Sequence, residues 1–367
     1  MTSPLQPSFI QALRAFAALT ILWHHFALYA PLSDWAAPLL GDLLSWLAQY
    51  ARATQVFFVV SGFVAAQTIG TRVWRFNELG RFVIQRYCRL GLPYLAIVLA
   101  ILPIYELARG WVPDEVLGQP VTWAQFLAHL FFLQDILGYE ALSAGLWFVC
   151  INFQLGFGYA FGMVLQQRFG KGGDGLFTLL GWGSSIYSLF HFNLDPSGES
   201  WALYFFPYFF LGIVVHKAVM RRAGRELLAF QGLMLLAVLY EWRWRVVIAM
   251  VFGMILFVAE RSGLGQRWPR SRWVAALGRV SFSLFLVHFP VLVLVGALWA
   301  RLGWDAPEQA VAGLLVAFLA SVACAWAFHR WVETPAATLS RRFRAPRREE
   351  GAEGGVEEGG RRMAFEH

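Results

Sequence analysis

Charge is what this sequence has least of. Only 14% of its 367 residues are charged and 58% are hydrophobic, whereas a soluble domain carries about a quarter charged residues. No stretch before residue 340 is polar enough to form a soluble domain. Lysine is almost missing, since 28 of the 30 basic residues are Arg. Cysteine is scarce too. Cys88, Cys150 and Cys324 lie in or beside apolar runs, at spacings that suit neither a disulfide framework nor a metal set. Residues 1–13 hold no basic side chain, and Arg14 falls inside the first apolar run. That run reads as a retained helix and not as a cleavable leader. No repeat resembles the inverted halves of many transporters.

Aromatic residues are abundant at 17%, with 17 Trp and 33 Phe. The excess suits lipid-facing surfaces and interfacial belts. The net charge of +7 is carried in short basic clusters between apolar runs. This distribution points to membrane orientation and away from nucleic acid as a partner.

A helix needs about 20 apolar residues to cross a bilayer. Ten runs approach that length: 9–29, 56–70, 90–105, 146–165, 176–190, 201–215, 227–240, 246–259, 280–300 and 309–328. The second is expected to begin earlier, near Trp46. An eleventh stretch, 123–137, contains Gln125, His129, Gln134 and Asp135, and reads as interfacial or re-entrant. With the N-terminus in the cytoplasm, sixteen basic residues fall in inside loops and five outside. The positive-inside rule favours that arrangement. The expected fold is therefore all-α: a polytopic membrane helix bundle of about ten transmembrane helices with both termini cytoplasmic. It would occupy residues 1–340, leaving 341–367, rich in Glu and Gly beyond Arg348, as a disordered cytoplasmic tail. The external segment 106–143 is acidic and long enough to cover a site entrance.

The first apolar run carries the clearest chemistry. Arg14 and His25 are eleven residues apart, which brings them within about 20° of one helix face and about 16 Å apart along the axis. Gln11 shares that stripe, whereas His24 points about 100° away. Ionisable groups inside a membrane helix are costly and tend to face a cavity or a partner. An imidazole is the natural general base near neutral pH. The plainer reading is that His25 bonds a neighbouring helix while Arg14 snorkels to the surface. The shared face favours function for the pair.

Other motifs are weaker alone. Arg86 and Arg89, at i and i+3, place two guanidinium forks on one face, suited to phosphates or to ordinary positive-inside charge. Ser61 precedes Gly62, a residue suited to close helix packing. In the fourth run, Trp147 is followed by a polar pair, Asn152 and Gln154, at its outer end. His288 is a second intramembrane histidine, two residues before Pro290, for which helix packing is at least as good a reading.

Taken together and in order, these segments resemble the acyltransferase-3 family of bacterial membrane acyltransferases across residues 9–340. The carriers are Arg14-X10-His25, Phe57–Phe63, Arg86-X2-Arg89, Leu277–Pro290 and Arg330-Trp-Val-Glu333-Thr-Pro335. The resemblance implies an enzyme of the bacterial inner membrane. It would move an acyl group, commonly acetyl, from cytoplasmic acyl-CoA to a hydroxyl of a glycan or other envelope molecule. It makes His25 the essential histidine, Arg14 its partner, and Arg14, Arg86 and Arg89 the donor-binding residues. Ser61, Trp147, Asn152, Gln154 and His288 become substrate or oxyanion candidates. No tightly bound cofactor is implied; acyl-CoA is a donor substrate. The partners are lipid, acyl-CoA and the hydroxylated acceptor, and the oligomeric state is not indicated. One departure stands out: Asn152 occupies a position that is often acidic in the family. Two rival classes stay open, a transporter or flippase for a glycan or lipid-linked substrate and a catalytically dead relative.

Overall fold

Apolar runs in lipid fold as helices because a helix satisfies its own backbone polar groups. A computed structural model describes residues 8–70, 72, 74–221, 224–264, 268 and 271–343. Among them there is no β-strand, only an isolated bridge between Arg109 and Val112. In chain order the helices are α1 (Ser8–Leu28), α2 (Leu32–Tyr50), α3 (Thr54–Thr68), α4 (Phe76–Arg86), α5 (Leu92–Ala108), α6 (Asp114–Leu117), α7 (Trp123–Leu130), α8 (Leu146–Phe169), α9 (Lys171–Phe190), α10 (Ala202–Arg221), α11 (Arg225–Tyr240), α12 (Trp244–Arg261), α13 (Arg272–Leu302), α14 (Pro307–Phe328) and α15 (Thr334–Arg341). Two π-turns interrupt otherwise continuous helix, Tyr87–Gly91 between α4 and α5 and His329–Glu333 between α14 and α15.

Five stretches are long and apolar enough to cross a membrane: 76–108, 146–169, 202–220, 272–302 and 307–341. A sixth candidate joins α1 to the α2–α3 region through a bend of 106°. The remaining helices are shorter or more polar. α11 and α12 have 16 and 18 residues, and α9 opens on Lys-Gly-Gly-Asp-Gly.

The second apolar run does not start near Trp46. α2 ends at Tyr50 and α3 begins at Thr54, so the polar Gln49 and Arg52 lie at a break. The stretch expected to be interfacial or re-entrant forms the eight-residue α7 followed by turns, with Trp123 82% exposed. α11 and α12 are separate because the chain turns at 241–243. There the Arg243 guanidinium donates to the carbonyls of Leu189 (2.8 Å) and Ala237 (3.1 Å) and to Asn193 Oδ1 (2.8 Å). A cation placed on the last carbonyls of two helices complements the negative ends of both. Of the expected tail, residues 344–367 lie outside the described residues, as do Arg222, Arg267 and Arg270 of the basic clusters; Arg341 closes α15.

Two packing groups meet at the site. In one, α1 lies against α13 and α2, and α14 lies against α13 and α2. In the other, α10 packs on α3, α9 and α12. α3 links them through contacts with α1 and α8. The closest approach is α3 against α10, where Gly62 faces the Phe209 carbonyl and Gly212 faces the Val59 carbonyl. Small residues let the backbones approach this closely, which meets the expectation for Gly62. Exposed Trp242, Trp244, Trp273 and Trp304 sit at helix ends, as aromatic anchors do at membrane interfaces.

Candidate functional site

The last turn of α1 carries His24 and His25. His25 is 9% exposed and His288, from α13, is 1% exposed. Nδ1 of His25 lies 2.7 Å from Nε2 of His288. Their rings are nearly parallel, at 9°, with centroids 5.0 Å apart. Nδ1 of His288 in turn donates to the Leu284 carbonyl at 3.2 Å. Burial of two imidazoles in an apolar bundle is costly unless their nitrogens find partners. The α1–α13 packing supplies them.

Beside this pair is a cavity of about 320 Å³, lined by His24, His25, Gln55, Trp147, Phe205 and Phe285, with Arg52, Glu199 and Arg245 also on its wall. Trp147 stands against Phe205, ring centroids 5.2 Å apart, giving the cavity an aromatic side. Arg245 pairs with Glu199 and donates to Tyr204 Oη at 2.8 Å. Arg52 is exposed at the rim. Gln55 is 3% exposed, and its Oε1 has no hydrogen-bond partner. His24 also reaches the cavity, although a helical wheel turns it away; its Nδ1 donates to the Leu47 carbonyl of α2 at 3.2 Å.

Arg14 lies half-buried toward the other end of α1, about 16 Å from His25 by helix rise. It is within electrostatic reach of Glu333 and Arg89. Glu333 Oε2 accepts from Ser283 Oγ at 2.6 Å and pairs with His329 Nδ1 at 2.9 Å. Both π-turns contribute to this cluster, Arg89 from one and His329 and Glu333 from the other. Such turns widen a helix locally and recur at functional sites.

The π-turn also separates the two arginines that an α-helical spacing puts on one face. Arg86 turns inward: its Nη2 donates to the Asn152 carbonyl at 2.6 Å, its guanidinium lies against Gly156, and Nε has no partner. Arg89 is exposed. The two arginines of Arg86-X2-Arg89 therefore stand in different surroundings. Arg86 braces α8, whereas the Arg89 side chain is open to its surroundings.

The other candidates divide. Trp147 and His288 are at the site. Ser61, Asn152 and Gln154 do not line the cavity. Gln154 Nε2 donates to the Phe132 carbonyl at 3.2 Å, and Asn152 Oδ1 is buried without a partner. Asn152 is five residues past Trp147, about 140° around α8 and 7.5 Å along it. Ser61 is six residues past Gln55, about 9 Å along α3. The helices that bring Trp147 and Gln55 to the cavity thus carry Asn152 and Ser61 away from it. Gln55, Glu199 and Arg245 were not singled out from sequence. The one available signal was an amide, Gln55, at the start of an otherwise apolar helix.

Outside the spanning helices, burial pushes the Asp135 carboxyl up to about 6. Gln134 Nε2 donates to its Oδ2 at 3.1 Å. A raised carboxyl binds its proton more tightly in the fold than in the unfolded chain. Stability from this group is greatest below the ordinary value near 4 and falls as pH rises through about 6. Asp135→Asn cannot ionise. It should melt a few degrees above wild type at pH 8 in detergent, with the difference vanishing near pH 4. Equal shifts at both pH values would show that Asp135 does not titrate this way.

Neither the search of curated proteins nor that of solved structures found a match. A family model described as an acyltransferase domain matches residues 8–330, which holds α1 with its Arg14 and His25, the cavity, and α13 with His288. The chain belongs to the acyltransferase-3 family, and is a membrane acyltransferase.

Proposed function

We propose that the protein transfers an acyl group, acetyl by its family resemblance, from cytoplasmic acyl-CoA to a hydroxyl of an envelope or exported glycan. The observation that carries this reading is the division of labour along α1. One end presents an imidazole to a cavity with an aromatic wall; the other lies in a cluster of charge. Arg14 and Arg89 hold the donor phosphates from the cytoplasmic face through charge-assisted bonds. The thioester extends between the helices toward His25.

His25 Nε2 accepts the proton of the acceptor hydroxyl as its oxygen attacks the thioester carbonyl. The new ester forms as the carbon–sulfur bond breaks, and the proton passes to the departing thiolate. Gln55 donates its amide to the developing oxyanion, in place of Ser61 or Asn152. Trp147 offers its face to a sugar ring. In this arrangement the chain crosses the bacterial inner membrane ten times, with both termini in the cytoplasm and the His25 cavity toward the opposite side.

Labelled acetyl-CoA supplied to membranes tests the reading. Wild type should label a glycan fraction. Arg89→Ala should raise the KM for acyl-CoA by about 10-fold or more, the worth of one charge-assisted bond, with kcat little changed. Arg86→Ala should instead lower the melting temperature, because it empties the space between α4 and α8. No label with wild type, together with glycan movement that consumes no acyl-CoA, would replace this reading with the transporter.

A further inference from the structure

A general base needs an unprotonated nitrogen facing its substrate, and a neutral imidazole has two tautomers. What selects the tautomer of His25 is therefore part of the site. We infer that His288 is the positioning residue of the reaction, fixing His25 as the Nδ1–H tautomer so that Nε2 is the free base. This rests on the acyl-transfer reading above.

The chain of bonds has one direction. The Leu284 carbonyl can only accept, so the His288 Nδ1 that lies 3.2 Å from it carries a proton. In a neutral ring the other nitrogen, Nε2, then accepts. Its neighbour at 2.7 Å is Nδ1 of His25, which must donate. The remaining nitrogen of His25 is Nε2, on the residue that lines the cavity. A helix carbonyl, buried and fixed in α13, thus sets the protonation pattern two rings away. The near-parallel rings, at 9°, hold the base in one orientation. When Nε2 takes the substrate proton, the imidazolium keeps its Nδ1–H bond to a neutral acceptor. Second partners of this kind fix tautomer and orientation in other histidine sites. The charged and titratable groups around His25 are His24 and Tyr29 on α1, with Arg52, Glu199 and Arg245 across the cavity. No hydrogen bond runs from any of them to His25 Nδ1 among the described residues.

The experiment combines spectroscopy with two variants. In protein carrying ¹⁵N-histidine, with the His25 signals assigned by their loss in His25→Ala, wild type should show a protonated Nδ1 and an unprotonated Nε2. His288→Leu should lose that tautomer and about 100-fold or more in kcat, within the range of general-base effects. Its KM for acyl-CoA should change little, because the donor end of α1 is about 16 Å away. His288→Gln, which returns an acceptor oxygen near the position of Nε2, should recover kcat to within about tenfold of wild type. An Nε2–H tautomer in wild type, or a kcat of His288→Leu within threefold of wild type, would overturn the inference. If His288→Leu fails to fold, the wild-type tautomer and the Gln variant still decide. If wild type transfers no acyl group, the function falls, while the tautomer measurement, which needs no turnover, judges His288 separately.

Discussion

His25→Ala membranes should transfer labelled acetyl about 10²–10⁴ times more slowly than wild type, the range expected for loss of a general base. The size follows from where the imidazole sits. His25 is the cavity-lining histidine whose Nδ1 is engaged by another buried ring. Its removal therefore takes away the base itself and leaves His288 Nε2 without the N–H that it accepts. The neighbouring His24 is the internal control. It lines the same cavity, but its Nδ1 is tied to the Leu47 carbonyl, so His24→Ala should lose under tenfold by the same measure, an expectation of about 1.4 kcal/mol or less. Near-normal turnover in His25→Ala would end its assignment as base.

Gly62→Ala should abolish accumulation of folded protein. A Cβ at Gly62 would overlap the Phe209 carbonyl, and one at Gly212 would overlap the Val59 carbonyl and the Phe63 amide. Overpacking in a core costs about 1–3 kcal/mol when side chains can adjust. Here the obstacle is backbone on both sides, so the cost should exceed that range. α3 would be pushed from α10, and the cavity wall to which they contribute Gln55 and Phe205 would come apart. Gly158→Ala is the matched control, since a Cβ there meets nothing within 4 Å. It should be neutral, or more stable by up to about 1 kcal/mol from helix propensity. Size-exclusion profiles in detergent distinguish the two. A Gly62→Ala peak equal to wild type would show that the crossing can relax.

The helical content was legible because long apolar runs leave few alternatives, and α1 was legible in detail. Its eleven-residue interval places Arg14 and His25 at two chemically different ends of one helix. The His25–His288 bond was not legible: the two residues are 263 positions apart, and helix arithmetic describes one helix at a time. Gln55 escaped for the same reason, since only the packing of α3 against α1 and α8 shows what its amide faces. Asn152 and Ser61 looked chemical by residue type but lie too far around their helices. The start of the second run was misplaced because apolar character continues from Trp46 past Tyr50, while the chain turns at the break before Thr54.

Each π-turn holds one residue more than an α-helix of the same axial length requires. A helical wheel drawn through 76–108 is therefore about 100° out of step beyond Gly91, and one drawn through 307–341 is out of step beyond Glu333. The π-turn absorbs the extra residue, so α4 and α5 each keep the face that packs, and Arg89, within the turn, stands exposed. In a relative that had lost one residue from either turn, both helix halves would stay on their packing faces. Yet Arg89 and Glu333, which lie in the turns themselves, would lose the local widening that displays them, so under the proposed acyl transfer donor recognition would depend on an interruption in the helix as much as on the side chains placed there.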